Sequence, residues 1–209
     1  MKKYFFLTAM LFVAFFALSA QSYDLQKLLK ENKLDTFGAT VTPISEKNGV
    51  SSDGIVWLKG VTFSTGTIEV DLRGKDVLQR SFLGIAFHGI DTGTYDAIYF
   101  RPFNFRSADP IRKIHAVQYI SAPDWLWHKL REERNGIYEK GIDPPPAATD
   151  WFHARIVVND KTISVYVNNS PTPSLVVEKL NDRKTGLIGL WTESAPSLPG
   201  EYANLVIKK

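Results

Sequence analysis

The 209-residue chain has no cysteine. That excludes disulfides and every thiolate metal site. It also excludes a lipoprotein-type leader, which needs a cysteine just after the cut. Basic blocks are missing as well. Lys and Arg number 25 against 22 Asp and Glu, a net charge of +3, and no Lys/Arg cluster forms a nucleic-acid footprint. Helical periodicity is nearly absent, appearing only over residues 22–34, where Leu25, Leu28 and Leu29 fall at i, i+3 and i+4 among charges. Long apolar runs are confined to one place, the start of the chain.

There, Lys2 and Lys3 form a basic head, residues 4–18 are apolar apart from Thr8, and the small residues Ser19 and Ala20 follow. This is the pattern of a secretory signal. The run of about 15 residues is shorter than the roughly 20 that span a bilayer as a helix. Cleavage after Ala20 or Ser19 is expected. The organisation expected is a signal peptide over residues 1–20, an N-terminal segment with a short helix over 21–35, and one domain over 36–209. The destination is secreted or periplasmic, with no membrane attachment after cleavage.

Beyond the leader, strands dominate. Residues 67–72 (TIEVDL) alternate strictly between apolar and polar side chains, and Gly74 follows as a turn residue. Residues 157–163 (VVNDKTI) hold the polar turn of a hairpin between two β-rich runs. Further short strands are predicted over 56–58, 81–88, 95–101, 115–120, 175–177, 186–191 and 202–207. Strands of this length, punctuated by Gly, Asn, Asp and Pro, predict an all-β antiparallel sandwich or barrel. Residues 121–150 break the rhythm with Trp125, Trp127, His128, a charged run at 129–134 and three consecutive prolines at 144–146. A loop of this length is usually functional or a local subdomain. Leu126 and Leu130 predict a short helix within it. Either tryptophan serves there as a plug onto the sandwich or as a lid that stacks on a ligand.

Several motifs carry a family resemblance: GIVWLKG at 54–60, GTIEVDLRG at 66–74, FLGIAFHG at 82–89, YFRPFNFR at 99–106, WFHAR at 151–155 and GLIGLW at 186–191. Over residues 36–208 the chain resembles secreted concanavalin A-like lectin/glucanase domains, and more narrowly the bacterial branch related to the 3-keto-disaccharide hydrolase domain. The resemblance implies a jelly-roll sandwich of two antiparallel sheets with one long insertion loop, and a carbohydrate partner bound on the concave sheet or its rim. It does not fix an activity, since this fold hosts lectins and hydrolases alike. No cofactor is expected. Calcium stays open, because it is common in this fold and needs only oxygen ligands, although no EF-hand-like spacing is present.

Candidate residues follow from strand parity and fold analogy. Tyr99 and Arg101 share a strand face, where a tyrosine offers an apolar body with a polar tip and an arginine a planar fork of donors. Asn104 and Arg106 continue that surface. If the alternating faces converge, His88, His115, Gln118 and His153 join it on one concave surface, with Trp191 and Glu193 at the rim. The four histidines lack the spacing of a zinc site. Glu69 and Asp71 also share a face and match the first half of the glucanase Glu-x-Asp-x-x-Glu pattern, but Gly74 stands at the third acid position. Solvated residues on a polar strand face are therefore expected there. The leading expectation is a glycan-binding domain; a glycoside hydrolase and a protein-interaction domain are the alternatives.

Overall fold

The computed structural model describes residues 19–194 and 198–209; nearly all of the expected export signal lies outside them. In chain order the first elements are β1 (Ala20–Tyr23), α1 (Leu25–Lys30), β2 (Leu34–Asp35), β3 (Val41–Pro43), β4 (Val50–Ser52), β5 (Gly54–Phe63) and β6 (Gly66–Arg73). Next come β7 (Leu83–Gly89), β8 (Tyr95–Phe100), a 3-10 turn at Pro102–Asn104, α2 (Pro110–Lys113), β9 (Val117–Ala122), α3 (Trp127–Glu133) and β10 (Glu139–Lys140). The chain closes with β11 (Phe152–Val158), β12 (Thr162–Val167), β13 (Leu175–Glu178), β14 (Gly186–Thr192) and β15 (Gly200–Lys208).

Two antiparallel sheets stack as a jelly-roll sandwich. The eight-stranded sheet runs β13-β12-β11-β6-β15-β4-β3, with β1 also paired to β15. The seven-stranded sheet runs β10-β9-β8-β7-β14-β5-β2. The hairpin expected around residue 160 forms between β11 and β12, closed by the Asn159 amide donating to the Thr162 carbonyl at 2.8 Å. Along β11 burial alternates, with Phe152, Ala154, Ile156 and Val158 turned into the core. Phe152 meets Phe100 of the opposite sheet with ring centroids 5.0 Å apart. Alternate residues thus cover the space between sheets, as a two-layer sandwich requires.

The N-terminal segment is part of the sandwich. Asp24 caps α1 by accepting from the Lys27 amide at 2.9 Å, Leu25 is buried, and β1 and β2 on either side of the helix pair with β15 and β5. The expected helix is therefore only six residues long. Among the described residues no helix is long and apolar enough to cross a membrane.

β7, β8 and β9 are buried at every position, so the seven-stranded sheet is covered on both faces. Ile98 and Phe100 face the core, which by parity turns Tyr95, Tyr99 and their row-mates to the other side. That outer face carries its own aromatic layer. Trp57 meets Tyr95 at 6.4 Å, Tyr99 meets Trp191 at 4.8 Å, and Trp191 Nε1 donates to the Tyr95 hydroxyl at 3.1 Å. Gly84 makes the second contact possible. It sits between Tyr99 and Trp191 in the register, and a Cβ on it would stand 2.0 Å from the Ile98 carbonyl oxygen.

Candidate functional site

A single register row across the outer face of the seven-stranded sheet builds the site. Glu139 of β10 pairs with Gln118 of β9, Gln118 with Tyr99 of β8, Tyr99 with Gly84 of β7, and Gly84 with Trp191 of β14. Side chains in one such row share a face and touch their neighbours. Arg101 follows two residues after Tyr99 on the same side, anchored by its amide to the Ala116 carbonyl at 2.8 Å. Over the Tyr99–Arg101 end of the row opens a pocket of about 340 Å³. Phe82 and Phe103 form one aromatic wall, packed edge to face at 5.4 Å. Trp127 and Arg131 of α3 form another, and Asn104, Arg112, His115 and Glu193 also line the pocket.

The floor is a buried polar network. The Tyr99 hydroxyl donates to Gln118 Oε1 at 2.7 Å, and Arg101 Nη2 donates to the same oxygen and to the Tyr99 hydroxyl. Arg101 Nη1 reaches the His115 carbonyl at 3.2 Å and Glu139 Oε2 at 3.3 Å. Arg131 holds Glu139 with both a Nε–Oε1 and a Nη2–Oε2 bond of 2.9 Å. The Arg101 guanidinium also lies 4.8 Å from the Tyr99 ring centre. Among the described residues, three polar atoms here are buried without a hydrogen-bond partner: Asn104 Oδ1, His115 Nδ1 and Gln118 Nε2. His115 Nδ1 stands 2.9 Å from Glu139 Oε2 but out of line for a bond.

Burial raises the Tyr99 phenol well above its ordinary range and pushes the Arg101 guanidinium down. Burial also lowers the His115 imidazole, against the pull of Glu139. For Glu139 burial favours the neutral form, yet the Arg131 bond and the charges of Arg101 and Arg131 prevail and hold it below its usual 4.5. Asp96 and Asp71, elsewhere in the fold, also lie below their usual 3.8 despite burial, each through several hydrogen bonds. All three carboxylates have a depressed folded pKa, so the stability they contribute is complete above the unfolded values and is lost as pH falls through the folded ones. The denaturation midpoint in urea is expected to drop steeply below about pH 4.5. A midpoint unchanged down to about pH 3 would contradict these assignments.

Of the residues read from the sequence, Tyr99, Arg101, Asn104 and His115 line the pocket, and Gln118 lies beneath it. Trp191 stands behind Tyr99, almost fully buried, and supports that ring without lining the pocket. His88 does not join this surface. Its φ of +50° breaks the alternation at the end of β7, and the ring sits in the interior, with Nδ1 3.1 Å from Asp96 and Nε2 2.6 Å from the Ser64 carbonyl. His153 belongs to the other sheet, where its Nδ1 pairs with Asp71 at 2.8 Å. Arg106 is exposed and donates to the Pro145 carbonyl at 3.2 Å, outside the pocket. Glu69 and Asp71 lie on β6 of that other sheet and are tied up by Lys208 and by Lys47, His153 and Asn204. Among the described residues no group of three or more His, Asp or Glu is gathered to hold a metal ion.

The insertion resolves the two tryptophans. Trp125 packs inward, with the Arg134 and Lys129 cations 4.1 and 4.4 Å from its ring centre, whereas Trp127 stands 46% exposed at the pocket. Sequence reasoning missed Glu139, Arg131, Phe82 and Phe103 as site residues. The one available signal was the charged run at 129–134 followed by the isolated Glu139.

No protein-family model matches the chain, and no curated protein matches it. Solved structures do share its fold. The carbohydrate binding module CBM66 from Bacillus subtilis superposes with a TM-score of 0.60 at 15% identity, covering 84% of this chain and 95% of that one. A protein of unknown function with a galectin-like fold, also from Bacillus subtilis, gives 0.58 at 13% identity over 90% and 94%. The metal-free carbohydrate recognition domain of Emp46p gives 0.55 at 10% identity over 87% and 90%. At these identities the likeness establishes the architecture: a β-sandwich of the concanavalin A-like and galectin-like class.

Proposed function

We propose that the protein is an exported carbohydrate-binding domain that receives a glycan end in the pocket over Tyr99 and Arg101. The observation that carries the reading is the combination of aromatic walls with a buried polar floor whose hydrogen-bonding capacity is not filled. Native proteins rarely leave buried polar atoms unpaired, and a ligand rich in hydroxyls is one way to complete them. Rings such as Trp127 and Phe82 present the apolar faces on which sugar rings stack. The pocket is near the lower end of the roughly 300–1,000 Å³ typical of small-molecule sites, which favours one or two sugar units over a long chain. Two structures that share the fold are described as carbohydrate binders, in keeping with this reading.

Binding is favoured over hydrolysis by the state of the acids. A glycosidase needs two carboxyl groups free to act on the bond between them. Glu139 has both oxygens committed to arginines and is held ionised, which among the described residues leaves Glu193 as the one uncommitted carboxylate of the lining. A hydrolase activity of the 3-keto-disaccharide type would have to come from groups other than this pair.

A glycan array paired with a hydrolysis screen tests the proposal. Binding without product release is the expected result. Arg101→Ala is expected to weaken the bound glycan about 30- to 100-fold, the loss of charged hydrogen bonds. Trp127→Ala, at an exposed position, is expected to weaken it several-fold with an unchanged melting point. Unaltered affinity in both variants would remove the pocket from consideration.

A further inference from the structure

Charge at the floor of the pocket is unevenly compensated. Two guanidinium groups share the single carboxylate of Glu139, and they share it unequally. Arg131 takes both oxygens at 2.9 Å, while Arg101 has one contact at 3.3 Å. The other partners of Arg101 are neutral: the His115 carbonyl, the Tyr99 hydroxyl and the Gln118 amide oxygen. One positive charge is thus left over in a site where Arg101 is only 4% exposed. At the mouth, Arg112 is cancelled by Asp109 at 3.2 Å. Glu193 contributes a negative charge to the lining, but it is exposed. Water and salt screen an exposed charge far more than a buried one. The field inside the pocket is therefore positive at the floor, where it is least screened.

We infer, resting on the carbohydrate reading above, that the sugar bound here is an anionic one, a hexuronic acid whose carboxylate reaches the Arg101–Arg131 floor. Among the described residues, Nε of Arg101 and Nη1 of Arg131 make no hydrogen bond, so each guanidinium keeps a donor for a ligand. A carboxylate can accept from both guanidinium groups and cancels the charge left over there, which a neutral hydroxyl cannot do. Burial acting on Arg101 points the same way, because a bound anion would supply the counter-charge that the folded protein withholds.

Calorimetric titration at low salt tests the inference, using galacturonate and glucuronate oligosaccharides, their neutral galactose and glucose counterparts, and sulfated forms of the neutral sugars. The uronates are expected to bind about tenfold tighter than their neutral counterparts, with the gap narrowing as salt is raised. Arg131→Gln frees Glu139 to neutralise Arg101 and is expected to erase the preference, read as the ratio of uronate to neutral-sugar affinity within that variant. Glu193→Gln, at an exposed position that leaves folding untouched, is expected to widen it about two- to threefold. Equal affinity for uronates and neutral sugars would overturn the anionic assignment and leave the pocket as a glycan site. Tighter binding of the sulfated sugars would overturn the carboxylate. Binding of none of the three would overturn both this inference and the function on which it rests.

Discussion

Asp96→Ala is expected to lower stability by about 3–5 kcal/mol, the range for removing one partner of a buried ion pair. Asp96 is on β8 and completely shielded from solvent. Its Oδ1 accepts from Asn181 at 2.6 Å, Arg183 at 2.9 Å and the Tyr119 hydroxyl at 3.0 Å, and its Oδ2 faces His88 Nδ1 at 3.1 Å. Asn181 and Arg183 lie in the connection that crosses from β13 to β14, so this one carboxylate ties the crossover between the two layers to β8. Alanine would leave a guanidinium, an amide and a phenol facing a void. Arg183 keeps 19% side-chain exposure and can recover some hydration, which places the loss toward the lower end of the range. For a domain of this size the melting point should fall by roughly 6–15 °C. Asp96→Asn keeps the shape and one acceptor oxygen and should cost distinctly less. A denaturant titration of the three proteins decides the matter: an alanine variant within about 1 kcal/mol of the parent would mean the cluster contributes nothing net.

Glu139→Ala should be nearly as damaging, and it should damage two properties at once. The side chain is almost fully buried between Arg101 and Arg131, and its removal leaves two guanidinium groups facing each other without a counter-charge. The expected loss is about 3 kcal/mol of stability, again from the cost of an uncompensated buried charge. Arg131 also stands 5.3 Å from the Trp127 ring centre, so releasing it from Glu139 loosens the tryptophan wall. Affinity for neutral glycans should therefore fall even in a variant that remains folded. Glu139→Gln separates the two effects. It preserves the volume and one acceptor but presents an amide nitrogen to an arginine. Intermediate stability with reduced affinity for neutral glycans is expected, read by melting point and calorimetry on the same samples. Parent-like values for both variants would show that the arginines hold their positions without this residue.

Strand parity carried the sequence reading a long way. The strict alternation of residues 67–72 gave β6, and the polar turn near residue 160 gave the β11–β12 hairpin. Parity alone also put Tyr99 and Arg101 on one face, where the structure has them. It failed at His88, because a left-handed residue at the end of β7 interrupts alternation and no pattern in the sequence marks that break. At His153 the parity was sound but the sheet was not legible, since nothing local says which layer a strand joins. Glu139 was missed for a third reason. It sits in a two-residue strand inside the insertion, too short to show any period, and its place beside Gln118 depends on a register that only long-range pairing sets. The signals lost at His153 and Glu139 were non-local, which is where a sandwich keeps most of its information.

For the export proposed above, the first strand would constrain the order of events. Ala20–Tyr23 runs antiparallel along β15, with Ala20 opposite Lys208 and Gln21 opposite Ile207. Backbone held in such a ladder is not free to lie extended in the cleft of a peptidase. For a leader cut after Ala20, docking of β1 and removal of the leader therefore compete for the same few peptide groups, and cutting has to come first. The cut would leave Gln21, Ser22 and Tyr23 to complete three of the four rungs. Because β15 follows every other described strand in the chain, those rungs close only after β15 has been made, which would leave a peptidase its interval.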